Sequence, residues 1–257
     1  MNEIEKNPVS ELLKYYRRIY QSKDPIKEIL KVEGEIPKSV KEKIQSQFSP
    51  EPFYGYKDAL LLLINPGEVS SEKNVCSDEM FNKFHKDRYL NWTRKEYLEE
   101  GERLKEIHRI GNKWREKRRE EINNIVSPEE VPFMHTMEFF PYHSKQFNFG
   151  SKTNMEWMCD LKTSELLMKS IKYIAEHNKV KYIFGIGLPW VTIFEYYRLK
   201  PCEVKEWKNP NTGKYRFRLF KYKFEGNSVP VIISILGSGR IALPKNSEVV
   251  EVIRKML

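Results

Sequence analysis

The stretch "DALLLLINPGEVS", residues 58–70, decides the fold. From Leu60 to Ile64 every residue is apolar, and the run is too short for a helix. It predicts a strand over Ala59–Ile64 that is buried on both faces. The run stops on Asn65-Pro66-Gly67. Asn-Pro is a common turn signal. The same three residues can also present an amide at a sheet end, with a glycine that leaves the backbone open to a ligand.

Working outward, other buried runs alternate with helical patterns. "VPFMHTMEFFPYHS" predicts a second strand, about Met134 to Phe139, and "VKYIFGIG" a third that ends on glycine. "KYRFRLFKYKFEGNSVPVIISIL" reads as a hairpin turning at Glu225-Gly226-Asn227, and its second strand ends on Gly237-Ser238-Gly239-Arg240. Between and around these lie helices: residues 9–22 with a serine cap, two short ones within 25–48 broken at "EGEIP", "TSELLMKSIKYIAEHN", "PWVTIFEYY", and Ser247 to Leu257. The fold class expected is α/β, with a central, largely parallel four-stranded sheet flanked by helices. Residues 1–50 form an N-terminal helical extension and 51–257 the main domain.

That domain carries a charged helical insert at about 82–127. "YLEEGERLKEIHRIGNKWREKRREEINNIV" reads as one long helix or two broken near Gly111. Arg109, Lys113, Arg115, Lys117, Arg118 and Arg119 crowd one part of it. Such a helix is either a solvated face or one laid along a phosphate backbone. The whole chain of 257 residues has a net charge of +9 and a pI of about 9.2, which favours a polyanionic partner, nucleic acid first.

The three cysteines, Cys76, Cys159 and Cys202, are far apart. They form no CxxC pair and cannot supply a four-cysteine iron–sulfur cluster. No clustered metal-ligand spacing, P-loop, HExxH or GxSxG occurs, so neither metal nor organic cofactor is expected. No leader pattern or membrane-length apolar run is seen, and the expectation is a cytoplasmic, monomeric protein that does not engage a membrane.

In a parallel sheet, ligands bind beyond the carboxyl ends of the strands. Four segments belong there: Asn65-Pro66-Gly67, Glu138 to Ser144, Gly185 to Trp190 and Gly237 to Arg240. Asn65 can orient a water. Glu138, Phe140, Tyr142 and His143 offer a carboxylate, aromatic faces and an imidazole; aromatic rings stack on bases for about 1–3 kcal/mol each. Gly67 and Ser238 suit a backbone that approaches phosphate, and Arg240 and Lys245 can pair with one.

Together these segments resemble the uracil-DNA glycosylase superfamily over roughly residues 50–250. "PFYGYKDALLLLINPG" looks like its first motif in an Asn-Pro-Gly form. The resemblance implies that Asn65 positions the attacking water and that Phe81, or alternatively Phe84, stacks on the base. Where a branch of the family has a base-reading asparagine three residues before proline, this chain has Glu138 before Pro141. A carboxylate accepts from an amino group, which cytosine carries at N4. The expected target is therefore a modified base of cytosine type. The last family motif, His-Pro-Ser with an apolar wedge, resembles Leu236-Gly237-Ser238-Gly239-Arg240-Ile241 without its histidine. His143 or Arg240 would then ease departure of the base, and Arg240 or Ile241 would fill the gap it leaves.

The implied activity is a monofunctional DNA glycosylase that flips a base and leaves an abasic site, acting on foreign or phage DNA. Asn65 and His143 are its catalytic candidates, with Phe81, Glu138, Phe140 and Tyr142 on the base. Gly67, Lys113, Arg118, Ser238, Arg240 and Lys245 are set on the DNA. The alternative is a catalytically inactive nucleic-acid-binding module on the same fold.

Overall fold

The computed structural model describes residues 7–48, 50–51, 58–69, 79, 82–83, 109–131, 134–145 and 151–257. Among them, one sheet contains β1 (Ala59–Leu63), β2 (Met134–Glu138), β3 (Tyr182–Ile186), β4 (Glu203–Lys208), β5 (Tyr215–Tyr222) and β6 (Val231–Leu236). The order is β2-β1-β3-β6-β5-β4. The first four run parallel, and β5 and β4 extend the sheet antiparallel. The α/β class holds, but the sheet has six strands and is mixed rather than four-stranded. The strand without a sequence signal is β4. "EVKEWK" lies at the sheet edge with most of its residues exposed, so it has no apolar run.

The helices are α1 (Pro8–Gln21), α2 (Pro25–Glu33), α3 (Lys38–Lys41), α4 (Arg109–Asn123), α5 (Lys152–Cys159), α6 (Lys162–Glu176), α7 (Leu188–Tyr196) and α8 (Ser247–Met256). They cover both faces of the sheet. Leu60 and Leu62 of β1 point to a core shared with Leu12 and Tyr16 of α1, Met155 of α5, Ile171 of α6 and Trp190 of α7. Ala59, Leu61 and Leu63 point the other way, to Ile122 of α4 and Val249 and Ile253 of α8. This two-sided burial is why the β1 sequence is apolar at every position.

The N-terminal helices are part of that first core. α1 starts earlier than the expected serine cap, because Asn7 caps it: its side chain accepts from the Val9 N–H at 3.0 Å, and Pro8 takes the first turn. α4 is continuous through Gly111, the unbroken one of the two expected forms over the described residues. No helix among the described residues is long and apolar enough to cross a membrane.

Candidate functional site

Of the described helices, α4 packs on one face of the sheet, and α7, which follows β3, packs on the other. Adjacent parallel strands whose continuations diverge open a crevice between their carboxyl ends. A cleft of about 650 Å³ lies there. Ile64 follows β1; Ile186, Gly187, Leu188 and Pro189 lead from β3 into α7; Leu236, Gly237, Gly239, Arg240 and Ile241 continue β6. Lys214, Tyr215 and Arg218 close it from β5. Among the described residues the wall is mainly apolar, the rim carries three cations, and no acidic residue lines it. None of the described carboxylates forms an ion pair with Lys214, Arg218 or Arg240. Leu188 and Ile241 stand 49% and 63% exposed at its edge. Gly187, with φ +97°, turns the chain into α7, so the first-turn N–H groups of that helix border the same space.

Local sequence explains the shape of the β6 side. A Cβ at Gly237 would collide with the Tyr215 carbonyl, while its N–H donates to the Arg216 carbonyl at 2.8 Å. Only glycine lets β5 lie this close to the end of β6. A second hollow, about 440 Å³, sits at the start of β3 around Tyr182 and Arg254. It offers no comparable chemistry, because Arg254 is tied to the Ile125 and Asn124 carbonyls at 2.8 and 2.9 Å.

The β1–β2 side is closed. Asn65 Nδ2 donates to the Phe140 and Tyr142 carbonyls at 2.9 and 2.7 Å, and Oδ1 accepts from the Gly67 N–H at 2.8 Å. Phe140 N–H donates back to the Ile64 carbonyl at 2.8 Å, and Ser144 N–H to the Gly67 carbonyl at 3.2 Å. The amide of Asn65 is thus held in one orientation, with one lone pair of Oδ1 unmatched among the described residues. Gly67 has φ +86°, and its carbonyl also meets His143 Nδ1 at 3.1 Å.

Behind this loop lies a buried polar cluster. His143 Nε2 is 3.2 Å from Glu51 Oε1, and Glu51 Oε2 pairs with Arg115 Nη2 of α4 at 2.8 Å. Glu138, at the end of β2, is 3% exposed, and its Oε2 has no hydrogen-bond partner among the described residues. Burial, then the charge of Glu51, drives its carboxyl well above the usual range, against the opposing pull of Arg115. Sequence reasoning did not single out Glu51, a carboxylate in a proline-marked loop that reads as solvated. It placed Arg115 on a surface stripe, whereas its partner is interior.

The expected site residues divide accordingly. The four expected segments meet in two pairs: the Asn65 loop with residues 138–144, and the start of α7 with Gly237–Arg240. Glu138 and His143 sit in the buried cluster and do not line the cleft. Phe140 and Tyr142, placed on the base by the sequence, are core residues. Phe140 packs edge-on against Tyr142 and Trp157 at 5.1 and 5.8 Å, and Tyr142 donates to Glu33 Oε1 at 3.1 Å. That glutamate also accepts from Thr163 N–H at 3.2 Å, and burial pushes its carboxyl up.

Arg118 is likewise corrected from a phosphate contact to an internal strut. It is 3% exposed, donates to the Ile241 carbonyl, pairs with Glu121 at 2.9 Å and stacks on Trp114 at 5.2 Å. Burial lowers its guanidinium pKa. Lys113, Ser238, Arg240 and Lys245 are exposed. Phe81 and Phe84 lie outside the described residues. No group of three or more metal-ligating side chains occurs among those described.

Comparison with family models, curated proteins and solved structures found no match.

Proposed function

We propose that this protein is a DNA glycosylase that takes a flipped base into the cleft between β1 and β3 and hydrolyses its N-glycosidic bond. One observation carries the reading: an apolar slot at the topological switch point, rimmed by Lys214, Arg218 and Arg240, reaches Ile64, the residue that precedes the rigidly held amide of Asn65. The slot suits a base and the rim suits phosphates. Asn65 follows Ile64, whose side chain lines the slot. Its remaining Oδ1 lone pair would hold a water, and preorganisation spares the reorganisation a mobile group would need. Arg240, on the rim, would stabilise the departing base. The cytosine-type preference rests on Glu138, whose carboxyl oxygen can accept from the amino group of cytosine. Because Glu138 stands in the buried cluster and not in the cleft wall, a base panel decides that part. Foreign or phage DNA with unusual bases is the proposed natural substrate.

The test is incubation with oligonucleotides carrying uracil, cytosine and modified cytosines, with abasic sites read by alkaline cleavage. Wild type should release a cytosine derivative, and Asn65→Ala should still bind DNA but release none. Release of uracil alone removes the cytosine preference. Release that survives in Asn65→Ala removes the assignment of Asn65.

A second reading, a binding module without catalysis, is favoured by the use of the Asn65 amide in tying three backbone groups together. It predicts tight DNA binding and no abasic sites from any substrate in the panel.

A further inference from the structure

The β4–β5 hairpin carries a row of alternating cations and rings that its sequence conceals. Trp207 pairs with Phe217, but the next residue, Lys208, pairs with Tyr215. Two steps on β5 thus match one on β4, which leaves Arg216 as the extra residue of a bulge. A bulge changes which side chains share a face. Tyr215 would otherwise point away from Arg218; here the two are together. Lys208 Nζ lies 4.8 Å from the centre of the Tyr215 ring, and the Arg218 guanidinium lies 4.9 Å from Tyr215 and 5.9 Å from Phe220.

Tyr215 and Arg218 line the cleft, and Lys208 lies beyond it, so the row continues the cleft outward over the sheet edge. Tyr215 is 38% exposed, and Val204, which pairs with Phe220, is 42% exposed. Glu206 stands opposite Arg218 in the ladder, yet no described carboxylate forms an ion pair with Arg218 or with Lys208. Cations held on rings remain able to meet phosphates.

We propose that this hairpin is a binding surface for single-stranded DNA running out of the cleft. It rests on the cleft's binding DNA, not on base release. The strand lays a base against Tyr215 and sets phosphates on Lys208 and Arg218. Duplex DNA hides its base faces and would leave the rings unused.

Fluorescence anisotropy with labelled oligothymidylates tests this. Lys208→Ala should weaken binding of a twelve-nucleotide strand about threefold to tenfold. It should also reduce the salt slope by about 0.7, one single-strand phosphate contact. A four-nucleotide strand, short enough to stay in the cleft, should bind as it does to wild type. Lys208→Arg should restore the longer strand, and Tyr215→Leu should weaken it about tenfold through lost stacking. Both positions are exposed, and unchanged melting curves show that the variants fold. Wild-type affinity and slope in Lys208→Ala and Tyr215→Leu would overturn the proposal. So would a duplex that binds more tightly than the single strand and loses as much on the same substitutions. If Lys208→Ala weakens binding while no substrate yields abasic sites, the glycosylase reading falls and this surface stands. If base release depends on Asn65 but the hairpin variants bind normally, the reverse holds.

Discussion

The carboxyl edge of the parallel strands has two unlike halves. Beyond β1 and β2 the chain folds back on itself. The Asn65 amide closes the loop, and Glu51, Glu138, His143 and Arg115 are sealed behind it. Beyond β3 and β6 the chain opens into a cleft whose cations have no carboxylate partner among the described residues. In the first half the Asn65 amide is tied to backbone and Glu51 is paired with Arg115, while Glu138 is buried with Oε2 unpartnered among the described residues. In the second half the cations are left for a ligand. Burial alone therefore does not mark the functional half; unpaired charge beside apolar wall does.

Four substitutions break or sharpen this contrast. The largest effect is expected from Arg118→Ala. It strips the partner from buried Glu121 and the strut from the Ile241 carbonyl. A loss of about 3–5 kcal/mol in denaturant unfolding is expected. A loss under about 1 kcal/mol would return Arg118 to the surface.

Asn65→Asp comes next. It sets a carboxylate oxygen against the Phe140 and Tyr142 carbonyls that now receive N–H groups. Unfolding should show a cost of about 1–3 kcal/mol, with the closed half loosened first in hydrogen exchange.

Third, Glu138 is held above its unfolded value, so the fold favours its neutral form. Its contribution is full below about pH 4.3 and is lost as pH rises through the raised folded value. Glu138→Gln is neutral throughout. Its Tm should fall less than that of wild type between about pH 5 and pH 8, with the remainder of the slope shared by Glu33. Equal slopes would mean that the carboxylate finds a compensating partner.

The smallest stability effect belongs to Arg240→Ala. Stability should stay within about 0.5 kcal/mol, because the side chain is exposed and forms no ion pair with a described residue. DNA affinity should drop with a smaller salt slope. Lost stability with unchanged affinity would turn the contrast around.

Much of the fold was legible in the chain. β1 is apolar at each position, β3 nearly so, and the β5–β6 hairpin carries its Gly226 turn, so strands and helices alternate recognisably. The edge strand β4 was not legible, since an edge needs charge on its exposed face rather than an apolar run. The site was legible only in outline. The segments at the strand ends were found, but their division into two pairs was not. Sequence spacing could not say that Phe140 and Tyr142 would turn inward to Trp157 and Glu33. Nor could it say that Arg118 would leave the basic stripe it shares with Lys113.

By itself the sequence determined the alternation of elements, the two-sided burial of β1 and the glycines at the strand ends, because each follows from local period or steric size. Only the tertiary structure decided which polar groups face one another and which face solvent. Glu51 meets His143 from a distant part of the chain, and a bulge of one residue turns Tyr215 onto the face of Arg218. Pairing of that kind depends on register and layer, which no short stretch encodes.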